Sequence, residues 1–289
     1  MSYDCIIIGK GPAGISAGLY VKRANLKVLV IGKDGGSLEK TKEIDNYYGF
    51  KNTISGKELL INGIEQAKRL GIEIETDEVI GLEFDGEYKV KTRNREFTSK
   101  ALILATGARR NVPTIKGVKE FEGKGVSYCA ICDAFFYRNR DVAVLGSGDY
   151  AISEAKQLLP VANSVTILTN GEQIVENRDI DMEKIQILEK PINQFSGNDV
   201  IEEVVFDDNS KMKTSGIFIA LGTASSTDLA KKLGAITNGN YIVVDKNMKT
   251  NVPGLYACGD CTGGLLQISK AVYEGAVAGL DVIKYIRKK

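Results

Sequence analysis

Two similar strand–turn–helix units, one at the start of the chain and one near its middle, constrain the fold more than any other sequence feature. In the first unit an apolar run at residues 5–8 leads into a glycine-rich turn at 9–14, a helical pattern and a second apolar run at 27–31. The same order returns with an apolar run at 142–145 and a glycine turn at 146–148. Short apolar runs bounded by glycine are typical of buried parallel strands. The repeat therefore predicts two domains of one kind.

Two later apolar runs that end in glycine, at residues 101–107 and 216–222, indicate where each unit ends. A chain of 289 residues has room for two domains, and the part after the second run is too short for a third. That part ends in a helical pattern from Gln267 to about Tyr285. We expect an α/β fold with two Rossmann-like nucleotide-binding domains, the second inserted into the first. The discontinuous first domain is expected at residues 1–110 and 220–289, and the insertion at residues 111–219.

The composition excludes several classes of function. The chain has no histidine, which rules out Ser–His–Asp triads, Cys–His proteases and histidine-bound metals. Proton transfer must therefore use carboxylates, thiols, tyrosines, lysines or water. A net charge of +1 gives no general attraction to nucleic acid or to a membrane surface. No apolar stretch is long enough to span a bilayer, and no basic leader is evident, so we expect a cytoplasmic protein.

The first glycine turn fits the G-x-G-x-x-G fingerprint, with Gly9, Gly11 and Gly14 between a strand and a helix. In this setting the first glycine permits a tight turn, the second lets the backbone approach a pyrophosphate, and the third allows close helix–strand packing. One expected element is missing. The second strand ends in the sequence Ile-Gly-Lys-Asp at 31–34, with no acid directly at its end to hold a ribose. Asp34 is displaced from that position and is expected to be a turn residue in solvent.

The five cysteines indicate redox chemistry or metal binding. Four of them form two C-x-x-C pairs, Cys129 with Cys132 and Cys258 with Cys261, while Cys5 falls within an apolar strand and is expected in the core. The first pair lies between the two nucleotide units, where a dithiol beside a flavin can accept two electrons and resolve a mixed disulfide with a partner. Asp133 follows the pair and is the natural proton donor in a chain without histidine.

The second C-x-x-C pair leaves alternatives open. Together with the first pair it would make a four-cysteine zinc or iron–sulfur site, and an auxiliary disulfide is a further option. We favour buried thiols without a redox role, because the Gly259-Asp260 step between the two cysteines matches an element that binds flavin.

The order of motifs resembles that of the low-molecular-weight thioredoxin reductase family over nearly the whole chain. The motifs that carry this resemblance are the glycine fingerprint and the sequences GGSL at 35–38, DNYYGF at 45–50, ATGA at 105–108, CAICD at 129–133 and GLYACGD at 254–260. The resemblance implies FAD held by the first domain, a homodimer, and rotation of the inserted domain that alternates the dithiol between flavin and thioredoxin. Ser37 and Tyr48 stand where the family commonly has glutamine and proline, so flavin contacts there are expected to differ.

The resemblance also implies roles for individual residues. Cys129 and Cys132 would be the redox pair, and Asp133 the acid. The start of the last helix at Gln267 would direct its N-terminal dipole at the reduced flavin. The implied FAD-binding positions are Gly9, Gly11, Pro12, Ala13, Gly14, Gly36, Leu38, Asn46, Ala105, Thr106, Gly107, Gly259, Asp260, Gln267 and Ile268.

The second domain departs from the family where NADPH should bind. Asp149 and Tyr150 stand at the helix entrance, where a carboxylate can cap the helix and would repel a bound pyrophosphate. Residues 168–174 contain no arginine, lysine or histidine for a 2′-phosphate, and Arg178 lies further on. Glu172 suits the free 2′-hydroxyl of NADH in principle, but we expect it to be a loop acid in solvent. In this loss the chain resembles the ferredoxin-dependent flavin thioredoxin reductases.

A ferredoxin donor implies a local basic surface, because ferredoxins are generally acidic. The candidates are Arg109 with Arg110, the turn at 138–140, and the tail at 287–289. Three other functions stay open: a reductase that uses NADH or NADPH through an atypical site, a non-enzymatic FAD-binding redox sensor, and a flavin-dependent ferredoxin–NADP reductase. The sensor has no need of the acid that follows the dithiol, and the last enzyme needs the missing phosphate site.

Overall fold

The computed structural model describes residues 2–107, 113–128, 130–175, 184–222 and 225–288, with the backbone alone for Ile131 and Cys132. The chain divides into two compact units. Unit 1 comprises Met1–Arg110 and Ser225–Lys289, and unit 2 comprises Asn111–Ala224. Each unit contains a parallel sheet with helices, so the predicted α/β fold with two Rossmann-like domains is confirmed.

The described residues form seventeen strands. They are β1 Ser2–Ile8, β2 Val28–Ile31, β3 Glu73–Glu75, β4 Val79–Asp85, β5 Glu87–Thr92, β6 Glu96–Leu104, β7 Val126–Ser127, β8 Asp141–Leu145, β9 Ser164–Leu168, β10 Ile185–Leu188, β11 Ile192–Gly197, β12 Ile201–Phe206, β13 Lys211–Lys213, β14 Gly216–Ile219, β15 Thr237–Asn238, β16 Tyr241–Ile242 and β17 Leu255–Ala257.

Six α-helices and three short 3-10 helices accompany these strands in the described ranges. The α-helices are α1 Pro12–Arg23, α2 Gly56–Arg69, α3 Ala130–Asp133, α4 Asp149–Leu158, α5 Ser226–Lys232 and α6 Ile268–Lys288. The 3-10 helices are Leu38–Lys40, Ala134–Tyr137 and Asp260–Thr262. Within this part of the chain no helix is apolar enough over a sufficient length to cross a membrane.

The main sheet of unit 1 has a parallel half that carries the first glycine turn. Its strands run in the order β3, β2, β1 and β6, with β17 also paired to β6, while β5 and β4 continue the sheet in antiparallel fashion. Ile8 pairs with both Ile31 and Leu104, and Leu104 also pairs with Ala257. The carboxyl ends of β1, β2, β6 and β17 therefore lie at one edge of the sheet. Glycine-rich segments follow three of these strands at that edge.

Close packing of α1 on α6 explains the glycines of the last helix. A side chain at Gly275 would collide with the carbonyl oxygen of Ala13, and one at Gly279 would come within 2.7 Å of the carbonyl oxygen of Ala17. Helix α6 runs to Lys288, three residues beyond the predicted end. Its last turn holds basic residues, which the negative end of the helix dipole favours.

Unit 2 has its own parallel sheet, in the order β10, β9, β8, β14 and β7, with a separate antiparallel sheet formed by β11, β12 and β13. Helix α4 follows the second glycine turn and packs on β8 and β9. The core between these elements is apolar and includes Leu145, Leu168, Phe195, Ile217 and Ile219. The second βαβ unit of the sequence therefore forms as predicted.

Candidate functional site

The glycine fingerprint of unit 1 has the backbone that close approach of a ligand requires. Gly9 has a φ of +116°, and a side chain there would collide with the carbonyl oxygen of Ala105. A side chain at Gly14 would collide with the carbonyl oxygen of Gly9. In contrast, no heavy atom lies within 4 Å of the Cβ position of Gly11. The second glycine thus leaves open space in front of the turn, as the pyrophosphate role requires.

Helix α1 begins directly after this open position. Its N-cap is Gly11, no side chain caps the helix, and Pro12 occupies the first turn. The first N–H groups of the helix, which include that of Ala13, are therefore free to meet an anion. An uncapped helix end beside an open glycine fits a dinucleotide pyrophosphate.

The turn at Gly259 and Asp260 is held against the fingerprint by a buried ion pair on α6. Glu274 accepts hydrogen bonds from the Gly259 N–H at 2.8 Å and from the Thr262 hydroxyl at 2.8 Å, and its carboxylate lies 3.1 Å from Lys270 Nζ. Lys270 donates to the Gly259 carbonyl at 2.9 Å. Gly259 has a φ of +82°, and a side chain there would lie 2.8 Å from Ala13 Cβ. The Lys270–Glu274 pair therefore fixes the turn from both its N–H and its carbonyl side.

Asp260 is the polar group that this turn presents. Within the described residues its carboxylate accepts no hydrogen bond and forms no ion pair. Burial raises the pKa of Asp260 above its usual value of 3.8, while nearby Lys270 opposes the shift. A half-buried carboxyl without a partner suits a hydroxyl-bearing ligand, since ribityl or ribose hydroxyls supply donors.

The segment after β6 is tied to α5. The Thr106 hydroxyl lies 2.6 Å from the Ser226 hydroxyl, and Ser226 also donates to the Gly107 carbonyl. Ala105 is buried, and its N–H donates to the Ile8 carbonyl at 2.7 Å, which places this segment beside the glycine fingerprint. Ala108, the last residue of this motif, lies outside the described residues.

Two predicted flavin positions from opposite ends of unit 1 meet through their side chains. The Asn46 amide donates to the Gln267 side-chain oxygen at 3.1 Å, although 221 residues separate them. Gln267 directly precedes α6, which begins at Ile268. Gly36 lies in a tight turn, where its N–H donates to Asp34 at 2.8 Å. As predicted, Asp34 is an exposed turn residue.

The loop between the first two helices carries exposed aromatic rings. Leu38 opens a 3-10 helix, and its carbonyl oxygen packs against Gly56 at the start of α2. Tyr47 and Phe50 stack at 6.1 Å and line an open depression of about 630 Å³. Tyr48 is 98% exposed, so the tyrosine in the usual proline position makes no core contact.

In unit 2, the segment that carries the dithiol is anchored at both ends by carboxylates. Cys129 lies outside the described residues, as does the side chain of Cys132, but the backbone of α3 is defined. The Ala130 N–H donates to the buried Glu154 carboxylate at 2.9 Å. Ser127 donates to Asp133 Oδ2 at 2.6 Å, which orients the predicted acid.

Glu154 was not identified from the sequence, although a signal for it exists. It is fully buried and lies on the apolar face of α4, one turn from Tyr150 and Ala151. A carboxylate that falls in the apolar repeat of a helix will be buried, and a buried carboxylate needs a polar partner. Its place in the repeat of α4 is therefore the sequence signal for Glu154.

Beyond α3, the 3-10 helix Ala134–Tyr137 exposes two aromatic rings. Phe135 is 74% exposed and Phe136 is 70% exposed, and their rings lie edge to face at 6.4 Å. Tyr137 faces inward against Phe218, and burial, reinforced by Asp133, raises the pKa of its hydroxyl. Two adjacent exposed phenylalanines beside a redox motif are suited to contact with another protein.

The second glycine turn is hydrogen-bonded to a carboxylate on another loop of the same domain. Ser147 donates a short hydrogen bond to Glu172, and the Val175 N–H donates to the Ser147 carbonyl at 2.9 Å. The loop after β9 thus folds onto the turn at 146–148, because Asn170 turns the chain with a φ of +54°. Glu172 is an exposed loop acid, as predicted, and it is hydrogen-bonded to Ser147.

The entrance of α4 differs from one expectation. The N-cap is Gly148 without any capping side chain, and Asp149 lies one residue later in the first turn. Asp149 therefore does not cap the helix. Its carboxylate lies in the first turn, where the residue type alone disfavours a bound pyrophosphate. Arg178 lies outside the described residues.

The remaining cysteines of unit 1 are buried free thiols, the interpretation favoured for the second pair. Cys261 donates to the carbonyl oxygens of Cys258 at 3.2 Å and of Leu104 at 3.5 Å. Burial raises the pKa of Cys261 to about 12 and raises the pKa values of Cys258 and Cys5 as well. Thiols this reluctant to ionise are poor nucleophiles.

The predicted basic surfaces are only partly described. Arg138 and Arg140 are exposed in the turn before β8. Arg287 donates to the Ala24 carbonyl at 3.3 Å, which places the tail beside the basic C-terminal turn of α1. Arg109, Arg110 and Lys289 lie outside the described residues.

Comparisons with known proteins agree with this architecture. The family model for pyridine nucleotide-disulphide oxidoreductases matches residues 3–275. The thioredoxin reductase of Peptoclostridium acidaminophilum is 35% identical over 305 residues, a match that covers 98% of this chain and 97% of the relative.

Two crystal structures extend the comparison. The atypical thioredoxin reductase TRi from Desulfovibrio vulgaris Hildenborough has a TM-score of 0.93 at 40% identity, over 99% of this chain and 98% of that one. A ferredoxin-flavin thioredoxin reductase from Clostridium acetobutylicum has a TM-score of 0.71 at 31% identity, over 100% of this chain and 99% of that one. Proteins of this kind are flavoproteins, generally with FAD. The chain therefore belongs to the pyridine nucleotide-disulphide oxidoreductase family and is a homologue of the thioredoxin reductases.

Proposed function

We propose that this protein reduces the disulfide of thioredoxin through Cys129 and Cys132, with FAD bound in unit 1 and with electrons supplied by reduced ferredoxin. The single observation that carries the choice of donor is the hydrogen bond from Ser147 to Glu172 in unit 2. Unit 1 would then be the FAD-binding domain and unit 2 the inserted dithiol domain. The homodimer, the domain rotation and a cytoplasmic location remain predictions from the sequence.

The geometry of unit 1 supports FAD as the cofactor. The open position at Gly11 and the uncapped start of α1 would receive the pyrophosphate, and Asp260 would accept hydrogen bonds from the hydroxyls of the flavin chain. The N-terminus of α6, next to Gln267, would direct a positive dipole end at the flavin. Bound FAD would supply the exchange between one-electron and two-electron chemistry that a ferredoxin donor and a disulfide acceptor require.

The dithiol would act on thioredoxin by thiol–disulfide exchange. One thiolate of the reduced pair attacks a sulfur of the thioredoxin disulfide, which forms a mixed disulfide and releases one thioredoxin thiolate. The second thiolate of the pair then attacks the mixed disulfide, so thioredoxin leaves reduced and Cys129 is joined to Cys132. Asp133, held by Ser127, would deliver the proton to the departing thiolate.

A protein partner is supported by the surface next to the dithiol. Phe135 and Phe136 present two exposed rings directly after α3. Exposed aromatic pairs of this kind are enriched in protein interfaces and cost stability or solubility elsewhere. A small-molecule disulfide would have no use for them.

The loop after β9 supports a donor other than NADPH. Glu172 is bonded to Ser147 of the glycine turn, where a dinucleotide pyrophosphate would lie, and like charges in that position repel. The described residues after β9, 169–175, include no cation to meet a 2′-phosphate. The similarity to a ferredoxin-flavin thioredoxin reductase favours ferredoxin as the replacement.

Anaerobic titration tests the proposal. Purified protein with its flavin is mixed in turn with reduced ferredoxin, NADPH and NADH while the flavin absorbance is followed, and thioredoxin thiols are then counted. We expect bleaching and thiol formation with reduced ferredoxin alone. Rapid bleaching by either nucleotide overturns the donor, and a folded protein that is colourless and refuses added FAD overturns the whole proposal.

A second candidate is a reductase that uses NADH. The observation that favours it is that Glu172 follows β9, the second strand of the βαβ unit, where an acid can hold the free 2′-hydroxyl of a ribose once it leaves Ser147. Bleaching by NADH that is lost in Glu172→Gln would establish this alternative.

A further inference from the structure

Lys10, the second residue of the glycine fingerprint, extends across the ends of three parallel strands of unit 1. Its backbone follows β1, its Cγ lies 2.8 Å from the place a Cβ on Gly32 would take after β2, and its ammonium donates to the Thr76 hydroxyl at 3.1 Å after β3. Gly32 is therefore required where it stands, because a side chain would collide with Lys10. The aliphatic part of the Lys10 side chain thus occupies the place at the end of β2 where an acid ordinarily binds a ribose.

The acids around this position are engaged elsewhere. Asp34 accepts the Gly36 N–H at 2.8 Å, and Glu39 accepts the Gly35 N–H at 3.0 Å. Glu78 is paired with Lys33 at 2.9 Å. Among the described residues at the end of β2, these carboxylates are thus committed to turns and to an ion pair.

The Lys10 ammonium, in contrast, has a neutral partner. Its one hydrogen bond within the described part of the chain goes to the hydroxyl of Thr76. Partial burial lowers the pKa of Lys10, while Asp34 and Glu39 act in the opposite direction. A partly desolvated ammonium whose partner is a neutral hydroxyl can form additional favourable hydrogen bonds with the oxygens of an anionic or hydroxyl-rich ligand. The adenosine end of a dinucleotide is such a ligand, and it lies at the carboxyl ends of these strands in this type of fold.

We propose that Lys10 takes the place of the ribose-binding carboxylate and donates hydrogen bonds to the ribose and phosphate oxygens at the adenosine end of FAD. This inference rests on the proposed binding of FAD by unit 1. It identifies a binding residue that the usual fingerprint, with a small residue in this position and an acid after the second strand, does not contain. Gly32 leaves room for the Lys10 side chain in this position, because a Cβ there would lie 2.8 Å from Lys10 Cγ.

The test measures flavin affinity in the full-length chain. FAD and FMN are titrated into flavin-free wild-type protein and into Lys10→Met, Lys10→Arg and, as a matched control, Lys91→Met, which changes an exposed lysine on β5. We expect Lys10→Met to raise the Kd for FAD about tenfold or more, because a charge-assisted hydrogen bond is lost. Lys10→Arg and Lys91→Met should stay close to the wild type, and the Kd for FMN, which lacks the adenosine part, should not change.

Unchanged FAD affinity in Lys10→Met overturns the inference, and so does an equal loss of FAD and FMN affinity. If Lys10→Met does not fold, ADP-ribose provides the second measurement. It should compete with FAD on the wild-type protein, and the competition should weaken as salt screens the ammonium. Absence of competition contradicts the inference. A wild-type protein that binds neither flavin contradicts the proposed function instead.

Discussion

The hydroxyl of Ser147 donates a hydrogen bond to the carboxylate of Glu172, and this bond joins the second glycine turn to the loop that follows the next strand. The N–H of Val175 adds a second tie to the carbonyl of Ser147. A glycine turn of this kind ordinarily meets a pyrophosphate. Here it is hydrogen-bonded to an acid of its own chain, while the fold of the domain is retained.

Glu172→Arg should create affinity for NADPH. The substitution removes the carboxylate from the turn and adds a cation that can pair with a 2′-phosphate. Compared with Glu172→Gln, which only removes the charge, we expect about tenfold tighter NADPH binding, measured by nucleotide fluorescence. NADH serves as the control, because it has no 2′-phosphate and should bind both variants alike. Equal NADPH binding by the two variants would mean that repulsion alone, and not a missing cation, excludes the nucleotide.

The sequence predicts the core of the fold well because the central parallel strands, such as β2 and β14, are buried on both faces. Every side chain of β2 is buried, so the apolar run alone identifies it. The glycines are equally informative, since Gly9 and Gly14 admit no side chain. The end of the last helix was predicted less accurately, because the helix continues past its last buried residue, Ile286, into the basic residues Arg287 and Lys288.

The candidate site was predictable only where chemistry follows from local sequence. The fingerprint and the dithiol motif are local, whereas the Asn46–Gln267 contact joins segments 221 residues apart. Glu154 and Glu274 were missed because each accepts a hydrogen bond from a backbone N–H on another segment, which no side-chain motif reveals. The bond from Ser147 to Glu172 was missed because 25 residues separate the two side chains that it joins.

Asp133→Asn should slow thioredoxin reduction by about a hundredfold or more, because an amide cannot deliver the proton to the leaving thiolate. Ser127→Ala should have a smaller effect, since it removes the bond that orients the acid but leaves the carboxyl itself in place. The measurements are thioredoxin turnover with excess donor and, separately, the rate of flavin bleaching by that donor. Bleaching should be unchanged in both variants. A matching loss in the bleaching rate would place Asp133 in the flavin step and contradict its role toward thioredoxin.

Glu274→Leu should destabilise the protein by about 3 kcal/mol or more, because it leaves the partly buried Lys270 ammonium without its carboxylate partner and the Gly259 N–H without an acceptor. The free energy of unfolding is measured by urea titration of flavin-free protein. Glu65→Leu, which changes an exposed acid on α2, is the matched control and should have little effect. Equal stability of the two variants would show that the ion pair does not hold the turn.

Asp260→Asn should raise the stability of the flavin-free protein at neutral pH while it weakens FAD binding. Burial raises the pKa of Asp260 above 3.8, so the folded state binds its proton more tightly than the unfolded state does. The stability contributed by the protonated carboxyl is present in acid and is lost as the pH rises from 3.8 through the raised pKa. Asparagine carries no such dependence. The melting temperatures of the variant and the wild type should therefore be similar in acid and diverge toward neutral pH, with the variant higher. Asp199→Asn, at an exposed loop position, should follow the wild type at every pH.

The Kd for FAD should rise about tenfold in Asp260→Asn, because a charged acceptor for ligand hydroxyls is lost. A variant that melts below the wild type at neutral pH would mean that Asp260 stabilises its own turn and is not held ready for a ligand.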